Sequence, residues 1–103
     1  MGVLVDSDFK KYIKNGEIEI SDFSEERLNP NSYNLRLGKR LLVYKNDILD
    51  MKVKNETEEI IIPEEGYVLY PGQLYLGETM ETTYGGEFIP LLEGRSSTGR
   101  LGI

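Results

Sequence analysis

The chain has 103 residues, with 12 Lys and Arg against 18 Asp and Glu and a formal net charge of −6. That length favours one small domain, and the acidic balance argues against a nucleic-acid polymer or an anionic membrane as the main partner, because phosphate surfaces attract basic ones. Cys, His, Trp and Ala are all absent, which removes disulfides, cysteine nucleophiles, the usual zinc ligands and the base of a Ser-His-Asp triad.

In chain order, the first pattern is helical. Val5 to Asn15 has Phe9, Tyr12 and Ile13 at i, i+3, i+4 spacing, which places them on one face. Asp6 or Ser7 is expected to cap this helix and Gly16 to stop it, with Lys10, Lys11 and Lys14 towards its negative end. Strand signals follow. Glu17–Ile20 and Tyr33–Leu37 alternate polar and apolar residues, with Gly38 ending the second. Leu41–Tyr44 is a continuous apolar run, expected to be buried on both faces. Lys45–Glu59 is polar, of mixed charge, and reads as a loop or exposed hairpin. Further strands are expected over Glu58–Ile62, Gly66–Tyr70, Leu74–Leu76, Thr79–Tyr84 and Phe88–Leu92. Turns at Pro71-Gly72 and Gly85-Gly86 separate them.

One helix followed by six to eight short strands, with turn signals every 8–12 residues, predicts a mainly β fold of the sandwich, barrel or jelly-roll kind. There is no internal repeat and no linker, so residues 1–103 are expected to form a single domain. The sequence stops at Leu101-Gly102-Ile103, directly after a glycine-rich charged loop, and on that ground the domain is expected to be incomplete at its C-terminus. No signal peptide or membrane-spanning run is legible, and the apolar runs are strand-sized. The expectation is a soluble cytoplasmic protein without a membrane partner.

The stretch Glu93-Gly94-Arg95-Ser96-Ser97-Thr98-Gly99-Arg100-Leu101-Gly102 holds most of the chemistry. It has two Arg, two Ser and one Thr among three Gly. Guanidinium groups give forked, charge-assisted donors to phosphate oxygens. Ser and Thr add hydroxyl donors, and glycine allows close backbone approach. Ser96-Ser97 is also expected to cap a following helical turn and aim its N-terminus at the phosphate. The same composition describes an ordinary polar turn after a strand. No Gly-Lys-Ser/Thr phosphate loop and no dinucleotide fingerprint occurs in the chain. The paired carboxylates Glu25-Glu26, Glu58-Glu59 and Glu64-Glu65 point apart in extended chain and read as solvated charge.

Three ordered motifs decide between these readings. Asn29-Pro30-Asn31-Ser32-Tyr33-Asn34-Leu35-Arg36-Leu37-Gly38, Pro71-Gly72-Gln73-Leu74-Tyr75-Leu76-Gly77-Glu78-Thr79 and Glu93-Gly94-Arg95-Ser96-Ser97 together resemble the dCTP deaminase family, within the trimeric dUTPase-like superfamily. The likeness runs over nearly the whole chain. Asn34 departs from it, because the family usually carries Asp there. A structural rather than catalytic consequence is expected, on a strand of the core scaffold.

The resemblance implies a distorted jelly-roll β-barrel with one N-terminal helix, assembled as a homotrimer with active sites between subunits. It implies hydrolysis of the 4-amino group of dCTP to give dUTP and ammonia, without zinc and with Mg²⁺ carried on the triphosphate. Some relatives also cleave dUTP to dUMP and pyrophosphate. The Asn-Pro-x-Ser-Tyr motif favours the deaminase branch, and Gly99 hints at the bifunctional type. By position, Arg95, Ser96 and Ser97 match the nucleotide-contacting Arg-Ser-Ser, and Ser96 matches the serine that places the attacking water. Arg100 matches the arginine that supports the reacting centre, while Thr98 and Gly99 complete the binding loop. The family's acid/base glutamate, its base-reading hairpin and its lid stand downstream of this loop. The 103 residues alone are therefore expected to be inactive. The competing reading is a catalytically dead nucleotide-binding or assembly remnant.

Overall fold

The computed structural model describes residues 2–103. The first element is helix α1 (Asp6–Lys14). Asp6 and Asp8 lie in its first turn and Lys11 and Lys14 in its last, both favourable to the helix dipole. The N-cap residue is Val5, not Asp6 or Ser7; Asp6 is already helical, and its Oδ1 accepts from the Ser7 N–H at 2.9 Å. The start is held instead from outside the helix, where the Asp6 N–H donates to the Pro30 carbonyl at 2.9 Å. Phe9, Tyr12 and Ile13 form the half-buried face, as their spacing predicts. Phe9 lies parallel to Tyr33 at 6.1 Å between centroids, and Tyr12 packs on Phe88 at 4.6 Å.

Among the described residues, five strands form two antiparallel sheets: β1 (Glu19–Ile20), β2 (Leu37–Tyr44), β3 (Thr57–Ile61), β4 (Leu76–Thr79) and β5 (Thr83–Tyr84). The smaller sheet pairs β1 with β5, Glu19 opposite Tyr84. The larger has the order β3-β2-β4, with Leu41 opposite both Ile60 and Gly77 and a bulge in β2 between Leu37 and Leu41. The mainly β class is as expected. Among the described residues, however, the strands close no barrel.

Several strand expectations are corrected. Gly38 lies inside β2 rather than ending a strand, and residues 34–36 belong to no strand. The polar stretch after Tyr44 is a hairpin connection that ends in β3, which starts at Thr57. Of the run expected to be buried on both faces, Leu41 is buried, whereas Leu42, Val43 and Tyr44 are half-buried. Gly66–Tyr70 and Phe88–Leu92 have the composition of strands but form none. An extended segment becomes a strand only by pairing its N–H and C=O groups, and these segments have no neighbour to pair with among the described residues.

The turns behave as their residues require. Gly72 has φ +80°, the left-handed value a Pro-Gly turn needs. Gly86 is more constrained: φ is +57°, and a Cβ there would stand 2.7 Å from the Glu17 carbonyl oxygen. Gly86→Ala combines left-handed strain with a backbone clash, and is expected to cost about 1–3 kcal/mol. A lowered thermal midpoint checks it; an unchanged midpoint means that the turn does not set this approach.

The buried interior is small. Among the described residues its buried apolar side chains are Ile18 and Leu41, each 6% exposed, and beside them and Gly38 a carboxylate, Glu81, is buried as well. Removing a charge from water is costly unless it is fully partnered. Glu81 meets that demand: Oε1 accepts from the Arg36 backbone N–H at 3.0 Å, Oε2 accepts from Arg36 Nε at 2.9 Å, and Arg27 Nε stands 3.8 Å away. Burial works against the charged form of Glu81. The backbone and guanidinium donors of Arg36 outweigh it and hold the carboxyl below the usual glutamate range.

Candidate functional site

The Asn29–Gly38 motif turns out to be scaffold. The Leu28–Tyr33 bridge closes a tight turn, with the Asn29 N–H donating to the Ser32 carbonyl at 2.8 Å and the Asn34 N–H to the Arg27 carbonyl at 2.9 Å. Asn34 Oδ1 accepts from Asn29 Nδ2 at 2.9 Å. A carboxylate oxygen of Asp would accept the same bond, so the departure from the family pattern is structurally conservative. The consequence is local to this turn, not to a core strand.

Tyr33 is the pivot of the motif. Its ring lies against Phe23 at 5.1 Å, and its hydroxyl accepts from the Ser24 N–H at 3.0 Å and from Arg27 Nε at 3.2 Å. Arg36 completes the network, donating from Nη2 to Asp22 at 2.7 Å while its Nε holds Glu81. Asp22 has φ +52°, a left-handed conformation uncommon outside glycine. It is fixed there from two sides, since Arg27 donates to its carbonyl and Arg36 pairs with its side chain. Sequence reasoning missed Asp22, Arg27 and Glu81. Glu81 carried no pattern of its own; its signal appears only once Leu37 is paired with Thr79, which brings Arg36 alongside the residues after β4.

The predicted site residues lie elsewhere, at the end of the chain. Arg95 is extended, at φ −78° and ψ 150°, and serves as N-cap of the four-residue helical turn α2 (Ser96–Gly99), with Arg100 as its C-cap. The Gly99 N–H donates to the Arg95 carbonyl at 2.9 Å and the Arg100 N–H to the Ser96 carbonyl at 3.0 Å. Ser96 and Arg100 are therefore one turn apart and share a face. Thr98 is half-buried, while Arg95, Ser96, Ser97, Gly99 and Arg100 are exposed. Among the described residues, the side chains of these positions make no hydrogen bond or ion pair.

The expected helical turn is present, but Arg95 rather than Ser96 or Ser97 stands at its N-cap, with no side-chain cap bond, and glycine has a narrower role in it than composition suggests. A Cβ at Gly94 or Gly99 would meet nothing within 4 Å, and neither has positive φ; only Gly102, at φ +81°, needs the left-handed region, where it ends the turn. What the turn offers chemically is two guanidinium groups, unpaired among the described residues, and three hydroxyls on a short, solvent-facing element of an acidic chain. Among the described residues, no group of three or more Asp or Glu is placed to hold a metal ion, and no helix is long and apolar enough to cross a membrane.

A small mainly β scaffold that presents a basic, hydroxyl-rich turn is the class of protein these features define. The comparisons with known proteins are specific about which one. The dCTP deaminase-like family matches residues 3–103, and the chain belongs to that family. It is 67% identical over 87 residues to a "dCTP deaminase, dUMP-forming" of Clostridium botulinum (strain Alaska E43 / Type E3), a match covering 84% of this chain and 50% of the relative. Proteins of the same description from Hathewaya histolytica and Cytophaga hutchinsonii are 58% and 56% identical over 89 and 87 residues. These matches cover 86% and 84% of this chain, and 52% and 50% of those relatives. The chain thus spans about half the length of the curated relatives it matches.

Proposed function

We propose that the chain carries the triphosphate-binding and water-placing part of a zinc-independent dCTP deaminase that continues from dUTP to dUMP and pyrophosphate. The observation that carries this is the Arg95–Arg100 turn: Ser96 and Arg100 share one face, Arg95 stands at its head, and the side chains have no hydrogen-bond or ion-pair partner among the described residues. The name "dUMP-forming" on the relatives supports the second step, and the absence of Cys and His from the sequence supports chemistry without zinc in this part of the protein.

In this reading Arg95 and Ser97 bind the triphosphate of Mg²⁺–dCTP, the metal arriving with the substrate. Thr98 and Gly99 supply backbone. Ser96 orients the water that attacks C4, and Arg100 offsets the charge that develops there. The assembly is a homotrimer with sites between subunits, and the location is cytoplasmic.

Positions 95–100 contain no carboxylate, so the turn lacks the general acid/base, a group worth about 10²–10⁴-fold. The 103-residue chain is therefore expected to release no measurable ammonia from dCTP. Ammonia and pyrophosphate assays on protein of verified intact mass test this. In a chimera continuing beyond Ile103 with the second half of the Clostridium botulinum relative, ammonia and pyrophosphate are expected in equal amounts. Ammonia alone would remove the second step, and neither product would remove the deaminase reading.

A further inference from the structure

Helix α1 ends at an asparagine followed by a glycine. Asn15 is its C-cap, at φ −89° and ψ 0°, and Gly16 takes the left-handed value φ +81° that turns the chain towards β1. Of the six asparagines in the chain, Asn15 is the one followed by glycine; Pro, Ser, Leu, Asp and Glu follow the others. Both residues are exposed, and a Cβ built on Gly16 would meet nothing within 4 Å. The Asn15 side chain is turned along the chain. Its Oδ1 accepts from the Glu17 N–H at 3.0 Å and its Nδ2 donates to Glu17 Oε1 at 3.3 Å, so the amide curls forward over the Gly16 peptide. The Gly16 N–H is loosely held, donating to the Ile13 carbonyl at 3.3 Å, longer than usual.

An asparagine cyclises when its side-chain carbonyl carbon can meet the next backbone nitrogen. The joint supplies a following residue with no side chain to block that approach, and a glycine whose freedom lets the Asn15 ψ turn away from its present value. The Glu17 N–H adds a donor to the oxygen on which negative charge gathers during the attack.

We propose that Asn15 is a site of spontaneous deamidation, and that the change loosens the joint between α1 and β1. Hydroxide takes the Gly16 amide proton, and the Gly16 nitrogen forms a bond to Asn15 Cγ. The Cγ–Nδ2 bond then breaks, and Nδ2 takes a proton from water and leaves as ammonia, regenerating the hydroxide. Water opens the cyclic imide. Attack at Cγ gives aspartate, and attack at the main-chain carbonyl gives isoaspartate, whose backbone runs through Cβ and Cγ. The net reaction consumes one water and releases one ammonia.

Either product puts a carboxylate at the negative end of the helix, beside the Glu17 carboxylate to which the amide had donated. The isoaspartyl form also lengthens the backbone inside the stretch closed by the Ile18 N–H, which donates to the Tyr12 carbonyl at 3.1 Å. That stretch has little slack, because Ile18 is buried and the Glu17 carbonyl stands against Gly86.

The test ages the 103-residue chain, and the chimera with the Clostridium botulinum second half, at mildly alkaline pH. Peptide mass mapping follows each asparagine, and enzymatic methylation reports isoaspartate. Deamidation at Asn15 is expected to be at least about tenfold faster than at Asn31 or Asn46, whose neighbours Ser32 and Asp47 carry side chains. Exchange of the Ile18 amide is expected to rise by more than about tenfold in the aged protein. Asn15→Gln must close a larger ring and is expected to show neither change. Deamidation at Asn15 no faster than at Asn31 and Asn46 overturns the site. An Ile18 amide that is unprotected before ageing in both proteins, unchanged by ageing, or loosened equally in Asn15→Gln overturns the effect on the joint. No readout here depends on dCTP turnover, so this inference and the deaminase reading can fail separately.

Discussion

Glu81→Ala is expected to lower the stability of the chain by about 1–3 kcal/mol, the cost of leaving a part-buried donor, the Arg36 backbone N–H, without its acceptor. In a fold whose buried apolar side chains, among the described residues, are Ile18 and Leu41, that is a sizeable share of a typical total stability. The substitution orphans the Arg36 N–H and removes the acceptor from Arg36 Nε. The Asn29–Gly38 segment then meets the residues joining β4 to β5 through backbone alone, the Met80 N–H donating to the Arg36 carbonyl at 2.9 Å. Glu81→Gln keeps the shape and one acceptor, so its loss should be smaller. Urea unfolding of the three proteins checks the order, and equal midpoints would show that the network is incidental.

The same group sets an acid limit. Its folded pKa lies below the ordinary glutamate value, so the unfolded chain takes up the proton first as pH falls. Stability from Glu81 is thus fully present above the ordinary glutamate range and is lost as pH drops through the lower folded value. Glu78, held down by the hydrogen bond and charge of Arg40, contributes with the same sign, but it is exposed and screened by salt. Glu81→Gln is expected to flatten the acid limb of stability against pH. A limb unchanged in that variant would place the titration elsewhere.

The second large effect belongs to the Arg95–Arg100 turn and is read in the chimera with the relative's second half. Arg100→Ala is expected to reduce kcat for dCTP by about 10²–10³-fold, the scale for removing one group that meets developing charge, with a smaller change in KM. Arg95→Ala is expected to act mainly on KM, by about tenfold or more, as the loss of a charge-assisted phosphate contact. Ser96→Ala should follow Arg100→Ala rather than Arg95→Ala if Ser96 orients the attacking water as proposed, because that role acts after binding. If all three variants shift only KM, the turn is a phosphate clamp and the assignment of Ser96 and Arg100 to the chemistry fails.

Local patterns were legible in proportion to how locally they are determined. The spacing of Phe9, Tyr12 and Ile13 located α1 and its packing face, and Pro71-Gly72 and Gly85-Gly86 marked turns, because periodicity and φ preference act over a few residues. The serine-arginine loop was legible as an exposed polar turn with a helical start. The cap of α1 was not, because its outside partner, the Pro30 carbonyl, is remote in sequence. Gly38 looked like a strand end, yet it is an interior residue of β2, whose bulge follows Leu37. Gly66–Tyr70 and Phe88–Leu92 showed the reverse error: their residues favour strands, but pairing is a property of two segments and their own composition supplies only one. Arg36 and Glu81 meet only through the β2–β4 pairing, which no window of sequence contains.

Arg40 reaches Glu78 on one neighbour of β2 at 2.8 Å and Glu59 on the other at 3.3 Å. Exposed pairs of this kind add little to final stability. They bear more on selection during folding, because β2 must meet one partner across the polar connection after Tyr44 and another across the tyrosine-rich stretch. A slip of one residue in either alignment turns alternate side chains to the opposite surface and separates Arg40 from that carboxylate. The central strand thus carries an electrostatic checkpoint that rewards a correct match on both sides, and low ionic strength should favour the correctly aligned three-stranded product over its misaligned competitors.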